Sequence, residues 1–259
     1  MTKVFLALID GMRPDALETI DHPFYRELLA TSAYSLEMRS VMPSVTLPCH
    51  MSLFHSVAAD RHGILTNTYV PQVRPINGIC EVLKNCGKRS GFFYSWEPLR
   101  DLARPLSLAR ADYISGKDYT FAVADKRITQ RVLNMIAEDD MPDFTFFYQC
   151  WADEAGHKYG WMSPEYLHSV KDCLDNLEKV VKALPEDVKL IVTADHGGHD
   201  RSHGTEAPED MTIPIFIRYN GVTPERINKP LCIIDIAPTV TTFLGVAADC
   251  DWDGKNIFE

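Results

Sequence analysis

Basic residues are in deficit. The 259-residue chain has 26 Lys and Arg against 36 Asp and Glu, a formal net charge of −10. Such a chain is a poor electrostatic partner for a phosphate backbone, so nucleic-acid polymers are excluded as the expected ligand. Long apolar runs are missing too. The run Val4–Ile9 ends at Asp10 after six residues, too few for a membrane span or for the apolar part of a signal peptide. Seven cysteines, at 49, 80, 86, 150, 173, 232 and 250, are odd in number and form no Cys-x-x-Cys pair. Neither a disulfide framework nor a thiolate zinc site is expected. With 14 Gly and 16 Pro there is no room for a long low-complexity linker. These absences predict a reduced, cytoplasmic protein that does not contact a membrane.

What is present suits a globular core: 46% of residues are hydrophobic and 24% charged, close to the average of folded domains. Val4–Ile9 is a continuous apolar run that reads as a strand covered on both faces, and the stretches 91–96, 144–150 and 188–193 likewise read as buried strands. Stretch 213–218 reads as a strand nearer an edge, because Pro214 has no N–H to donate. Helical patterns lie between them at 76–85, closed by Gly87; 121–137; 164–184, ended by Pro185; and 233–244, closed by Gly245. The alternation predicts a single α/β domain over 1–259, an α/β/α sandwich around a largely parallel sheet. Residues 97–120 are expected to form an irregular surface excursion.

Ligands of such sheets bind beyond the carboxyl ends of the strands. Asp10, Asp153 and Asp195 each follow a predicted strand, and three buried carboxylates converging on one rim must be neutralised or protonated. Metal ions would neutralise them. His157 lies four residues after Asp153, His196 adjoins Asp195, and His203 follows across Gly197-Gly198, which would let the chain turn. Oxygen and nitrogen ligands without thiolate suit a catalytic zinc, with Mn²⁺ or another divalent ion as the fallback. His199, in the same loop, is the alternative to His203. Thr46, in Thr-Leu-Pro-Cys-His, is expected as the N-cap of a short helix, where unpaired N–H groups favour an alkoxide and bind phosphate oxygens. Trp96, Tyr159 and Trp161 lie at strand or motif ends, either packed in the core or stacked on a base or aryl group of a substrate.

Asp10, Thr46 in its Thr-x-Pro turn, DEAGHKYG at 153–160, ADHGGHD at 194–200 and HGT at 203–205 together resemble the alkaline phosphatase superfamily, and within it the nucleotide pyrophosphatase/phosphodiesterases. RHGI at 61–64 with Asn67, and DIAPTVTTFLGV at 235–246, are similar to further landmarks of that family. The resemblance implies an alkaline phosphatase-like fold with two Zn²⁺ ions. One would take Asp153, His157 and His203; the other would take Asp10, Asp195, His196 and the Thr46 oxygen. Two dications against three aspartates leave about one net positive charge, which suits a small anionic phosphate ester. The implied activity is hydrolysis of phosphodiesters or nucleotide pyrophosphates through a covalent Thr46 intermediate. A phosphomonoesterase, a phosphonate hydrolase of the same superfamily and a catalytically silent metal-binding relative stand as alternatives. The family's phosphodiesterases carry Asn three residues after the nucleophile. Here that residue is Cys49, whose weaker S–H donor would have to meet a phosphoryl oxygen. The Cys/Ser-x-Pro-x-Arg signature of sulfatases lacks its Arg.

Overall fold

Strands β1 (Val4–Ile9), β3 (Ser90–Tyr94) and β5 (Phe144–Gln149) are buried at every position, as continuous apolar runs require. With β2 (Ala33–Arg39), β4 (Arg110–Tyr113), β6 (Lys189–Thr193) and β7 (Thr212–Arg218) they form one seven-stranded sheet in the order β2-β7-β6-β1-β5-β3-β4. The computed structural model that shows this describes residues 2–259. Neighbouring strands pair in parallel, except that β7 runs antiparallel to both β6 and β2. This is the largely parallel α/β sheet expected.

Alternation along β5 shows the layering. Phe146 faces Phe54 of the Thr46–His55 helix, with ring centroids 5.0 Å apart. Gln149 instead donates from its amide to the Cys173 carbonyl of the Pro164–Ala183 helix on the other face. The core is contiguous from Val4 to Ile257. The predicted helices occupy Ile79–Asn85, Phe121–Ala137, Pro164–Ala183 and Ile236–Phe243, the last entered by a 3₁₀ turn at Ile233–Asp235.

Both edge strands escape a search for apolar runs. In β2, buried and half-exposed residues mix, and β4 has four residues, none fully buried. Strand β4 lies inside the predicted excursion, which also holds a 3₁₀ turn at Glu97–Leu102 and a short helix at Gly116–Tyr119. Pro214 sits on β7, one strand in from the edge. The register between β2 and β7 shifts between Ser35 and Met38, opposite Pro214, so the missing N–H falls where the ladder is already interrupted.

Register also aligns the strand ends. Ile9 pairs with Gln149 and Leu8 with Thr193, so Asp10, Asp153 and Asp195 emerge from three adjacent central strands. The Thr46–His55 helix is fastened below them through Phe54, whose ring meets Phe146 at 5.0 Å and Phe92 at 5.3 Å. Phe54→Ala should cost about 3–5 kcal/mol in urea unfolding. A loss below about 1 kcal/mol would show that this helix is held by other contacts.

Candidate active site

Three histidines are oriented in the same way. Nδ1 of His196 lies 2.8 Å from the Gly197 carbonyl, Nδ1 of His203 lies 2.7 Å from the Ser44 carbonyl, and Nδ1 of His157 lies 3.1 Å from the Arg201 carbonyl. A carbonyl can only accept, so each Nδ1 carries the proton and each Nε2 keeps a bare lone pair. These lone pairs face inward. Nε2 of His203 and Nε2 of His157 are only 3.2 Å apart, and Asp153 Oδ1 lies 3.5 Å from the second and 3.8 Å from the first. Nε2 of His196 lies 3.3 Å from both Asp10 Oδ1 and Asp195 Oδ2, and 3.2 Å from the Thr46 hydroxyl.

The carboxylates follow a matching rule. Tyr148 donates its hydroxyl to Asp10 Oδ2, and the Gly11 N–H donates to Asp195 Oδ1 at 3.2 Å. The opposite oxygens, Asp10 Oδ1 and Asp195 Oδ2, are buried without a hydrogen-bond partner, as is Asp153 Oδ1. Buried acceptors without donors are costly, and two imidazole lone pairs 3.2 Å apart repel. Both features fit two cations: one among Asp153, His157 and His203, the other among Asp10, Asp195, His196 and Thr46. In each set the protein ligand atoms of the acids and histidines lie within 4.8 Å of one another. The two sets touch through His196 and His203, whose rings stack at 3.8 Å.

Electrostatics agree with this donor set. Burial, and then the charge of Asp195, pushes the Asp10 and Asp153 carboxyls well above the usual carboxylate range. Burial also opposes charge on Asp195, but His196 and His50 outweigh it and hold that carboxyl below the range. Burial lowers His196, and burial with the neighbouring His196 lowers His203 to about 3. Neutral imidazole is the form that binds a metal.

Around this centre several expectations change. The N-cap of the Thr46–His55 helix is Val45, in extended conformation, and Thr46 is the first helical residue. Cys49 is therefore a full turn in, and its N–H bonds to the Val45 carbonyl at 2.9 Å. Its thiol is fully buried against Ser40 Oγ at 3.1 Å, with the Val41 and Pro43 carbonyls nearby. That orientation does not present Cys49 to a substrate. Asn67 stands at the helix end instead: its Oδ1 accepts from the Leu47 N–H at 2.9 Å. The sequence offered Asn67 only as a landmark, because a contact across a 20-residue loop has no local pattern.

His199 is turned away from the centre, with Nδ1 2.7 Å from Asp210 Oδ1. Gly197 and Gly198 do not supply a left-handed turn, since neither has positive φ. They supply space: a Cβ on Gly197 would meet the Glu209 carbonyl at 2.0 Å, and one on Gly198 would meet the Trp161 ring at 2.3 Å. Trp161 lies between Gly156 and Gly198, donates its indole N–H to the Gly11 carbonyl at 3.0 Å, and sets its edge against His157. It is a wall of the site. Tyr159 is exposed under the Lys158 ammonium, and Trp96 is half-buried at the end of β3. Neither enters the polar cluster just described.

The raised Asp10 and Asp153 values have a consequence for stability. A carboxyl with a higher pKa folded than unfolded keeps its proton longer in the folded state, so stability falls as pH rises toward the folded value. The lowered His196 and His203 act oppositely, but only up to the ordinary imidazole pKa of about 6.5. Metal-free protein should therefore lose stability as pH rises above about 6.5, while saturating zinc should flatten the profile. Urea unfolding in chelator and in zinc would test this; a metal-free profile that rises there would contradict the charge balance.

The profile of the family described as type I phosphodiesterase / nucleotide pyrophosphatase matches residues 4–209. A venom phosphodiesterase of Naja atra is 26% identical over 251 residues, covering 87% of this chain and 30% of that protein. The bis(5'-adenosyl)-triphosphatase enpp4 of Mus musculus is 24% identical over 222 residues, covering 75% and 47%. The chain thus spans less than half the length of these relatives. Among solved structures, an inactive variant of murine ectonucleotide pyrophosphatase/phosphodiesterase 5 in complex with AMP superposes with a TM-score of 0.82 at 16% identity, covering 98% of both chains. A phosphonate monoester hydrolase from Silicibacter pomeroyi gives 0.77 at 17% identity, covering 98% of this chain and 75% of the other. Those structures share the fold, and with most of the length matched by the family profile, this chain belongs to the type I phosphodiesterase / nucleotide pyrophosphatase family.

Proposed function

We propose that the chain hydrolyses small anionic phosphodiesters or nucleotide pyrophosphates, with Thr46 as the nucleophile and two zinc ions held by the two ligand sets. The observation that carries this is the pairing of unpartnered carboxylate oxygens and bare imidazole nitrogens around the Thr46 hydroxyl. Divalent ions at these two places would polarise a phosphoryl oxygen and lower the pKa of the Thr46 hydroxyl. The substrate class also draws on two similar proteins, one a bis(5'-adenosyl)-triphosphatase and one crystallised with AMP.

The residues divide the work as follows. Thr46 Oγ1 attacks phosphorus, a P–O bond forms there, and the bond to the leaving oxygen breaks in line with it. Water then cleaves the threonyl phosphoester and restores the hydroxyl. At the helix end, Pro48 has no N–H and the Leu47 N–H is taken by Asn67. The Thr46 N–H therefore remains as a donor for a phosphoryl oxygen, and the Asn67 NH₂ group is brought to the same place. Trp161 closes one wall against water.

Elemental analysis of purified protein, paired with assays on bis-p-nitrophenyl phosphate and p-nitrophenyl phosphate, tests the proposal. About two zinc ions per chain are expected, because seven ligands exceed one tetrahedral site, with the diester turned over faster than the monoester. Thr46→Ala should lower diester turnover by roughly 10³-fold or more and keep most of the zinc, and Thr46→Ser should retain measurable activity. One ion or none at saturating zinc, or an active Thr46→Ala protein, would refute it.

Cys49→Asn separates Asn67 from Cys49 as the phosphate donor. It should destabilise the protein by about 1–3 kcal/mol, since an amide enters a sealed pocket, and bring no gain in kcat/KM. Asn67→Ala should lower kcat/KM by about 10²-fold. A tenfold gain from Cys49→Asn would restore the sequence-based assignment.

A further inference from the structure

Asp125 is a fully buried carboxylate on the inner face of the Phe121–Ala137 helix, outside both ligand sets. Its Oδ1 accepts from the Ser95 hydroxyl at 2.7 Å, just beyond β3. Its Oδ2 accepts from two main-chain donors, the Cys150 N–H at 3.0 Å and the Trp151 N–H at 2.8 Å. These are the N-cap and first residue of the Trp151–Tyr159 helix, which carries Asp153 and His157 and has no cap from a side chain of its own start. Burial pushes the Asp125 carboxyl up to about 7 despite these three donors.

Asp153 is the third residue of that helix. An acidic side chain at this position commonly folds back onto the N-cap N–H, as in a capping box. Here that N–H belongs to Cys150, and Asp125 already occupies it. Asp153 Oδ1 is left without a partner and directed toward His157 and His203.

We infer that Asp125 is a positioning residue: by capping the Trp151–Tyr159 helix from a neighbouring helix, it withholds the Cys150 N–H from Asp153 and keeps the Asp153 carboxylate free for the ion shared with His157 and His203. The inference rests on the two-ion proposal. Asp125 touches neither substrate nor ion. Its effect reaches the centre through the first turn of the helix, where a partner behind a metal ligand typically changes affinity by about 10- to 100-fold.

Zinc affinities of the purified protein, measured by chelator competition, give the test, with thermal unfolding of the metal-free form recorded alongside. Asp125→Ala frees the two N–H groups and should weaken one of the two zinc ions by about 10- to 100-fold while leaving the other within about threefold. Asp125→Asn can keep its carbonyl oxygen on both N–H groups and its NH₂ on Ser95, so both ions should stay within about threefold of wild type. In a His157→Ala background, which removes the affected site, Asp125→Ala should no longer change the remaining ion. The visible spectrum of the Co²⁺-substituted protein should change at one site only.

Equal weakening of both ions, or a lower melting temperature with both affinities unchanged, would reduce Asp125 to a structural residue and overturn the inference. A loss beyond tenfold in Asp125→Asn would overturn it as well, and that variant decides the matter if Asp125→Ala does not fold. Wild-type protein that binds fewer than two zinc ions would instead refute the two-ion proposal itself.

Discussion

Mutual repulsion among three buried carboxylates governs this rim of the molecule. Parallel pairing of β6, β1 and β5 brings Asp195, Asp10 and Asp153 out side by side, in surroundings where an unpaired negative charge is expensive. Two of these acids give one oxygen to a fixed donor, Tyr148 for Asp10 and the Gly11 N–H for Asp195. The remaining oxygens are aimed at imidazoles whose protons point the other way. Tyr148 and the Gly11 N–H hold Asp10 and Asp195 against rotation, so the repulsion is relieved by protonation or by cations rather than by these two side chains turning away. Strands β1 and β5 are buried throughout and β6 at every position after Lys189, and they cannot splay without opening the core.

Packing requirements explain residues that look like turn chemistry. Gly156 and Gly198 are small because the Trp161 ring lies on both, and this ring joins the helix bearing His157 to the loop bearing His203. The reversed strand β7 accepts Pro214 because its partner β2 bulges opposite it. In both cases a small or imperfect element lies where two larger ones must come close.

The parts legible in the sequence are those that follow long buried runs. Asp10, Asp153 and Asp195 could be placed because apolar strands deliver them, and the histidines because they stand within a few residues of those acids. Strands β2 and β4 were not legible because half-exposed edges lack an apolar run. The helix start at Thr46 is displaced by one residue because Val45 caps through its backbone conformation, which leaves no side-chain signature. That displacement is what carries the Cys49 thiol away from the expected phosphate position. Asn67 and Asp125 reach their partners across 20 and 25 or more residues, and contacts at such range arise only once the sheet has assembled.

The acceptors behind the three histidines are the carbonyls of Ser44, Gly197 and Arg201. They belong to the backbone, so replacing the side chain at Ser44 or Arg201 exchanges everything except the group that sets the tautomer. An imidazole anchored by a carboxylate would be lost with a single substitution in its partner. An imidazole anchored by the main chain persists for as long as the chain follows the same path. The residues around such a centre can change widely while the rings keep their aim.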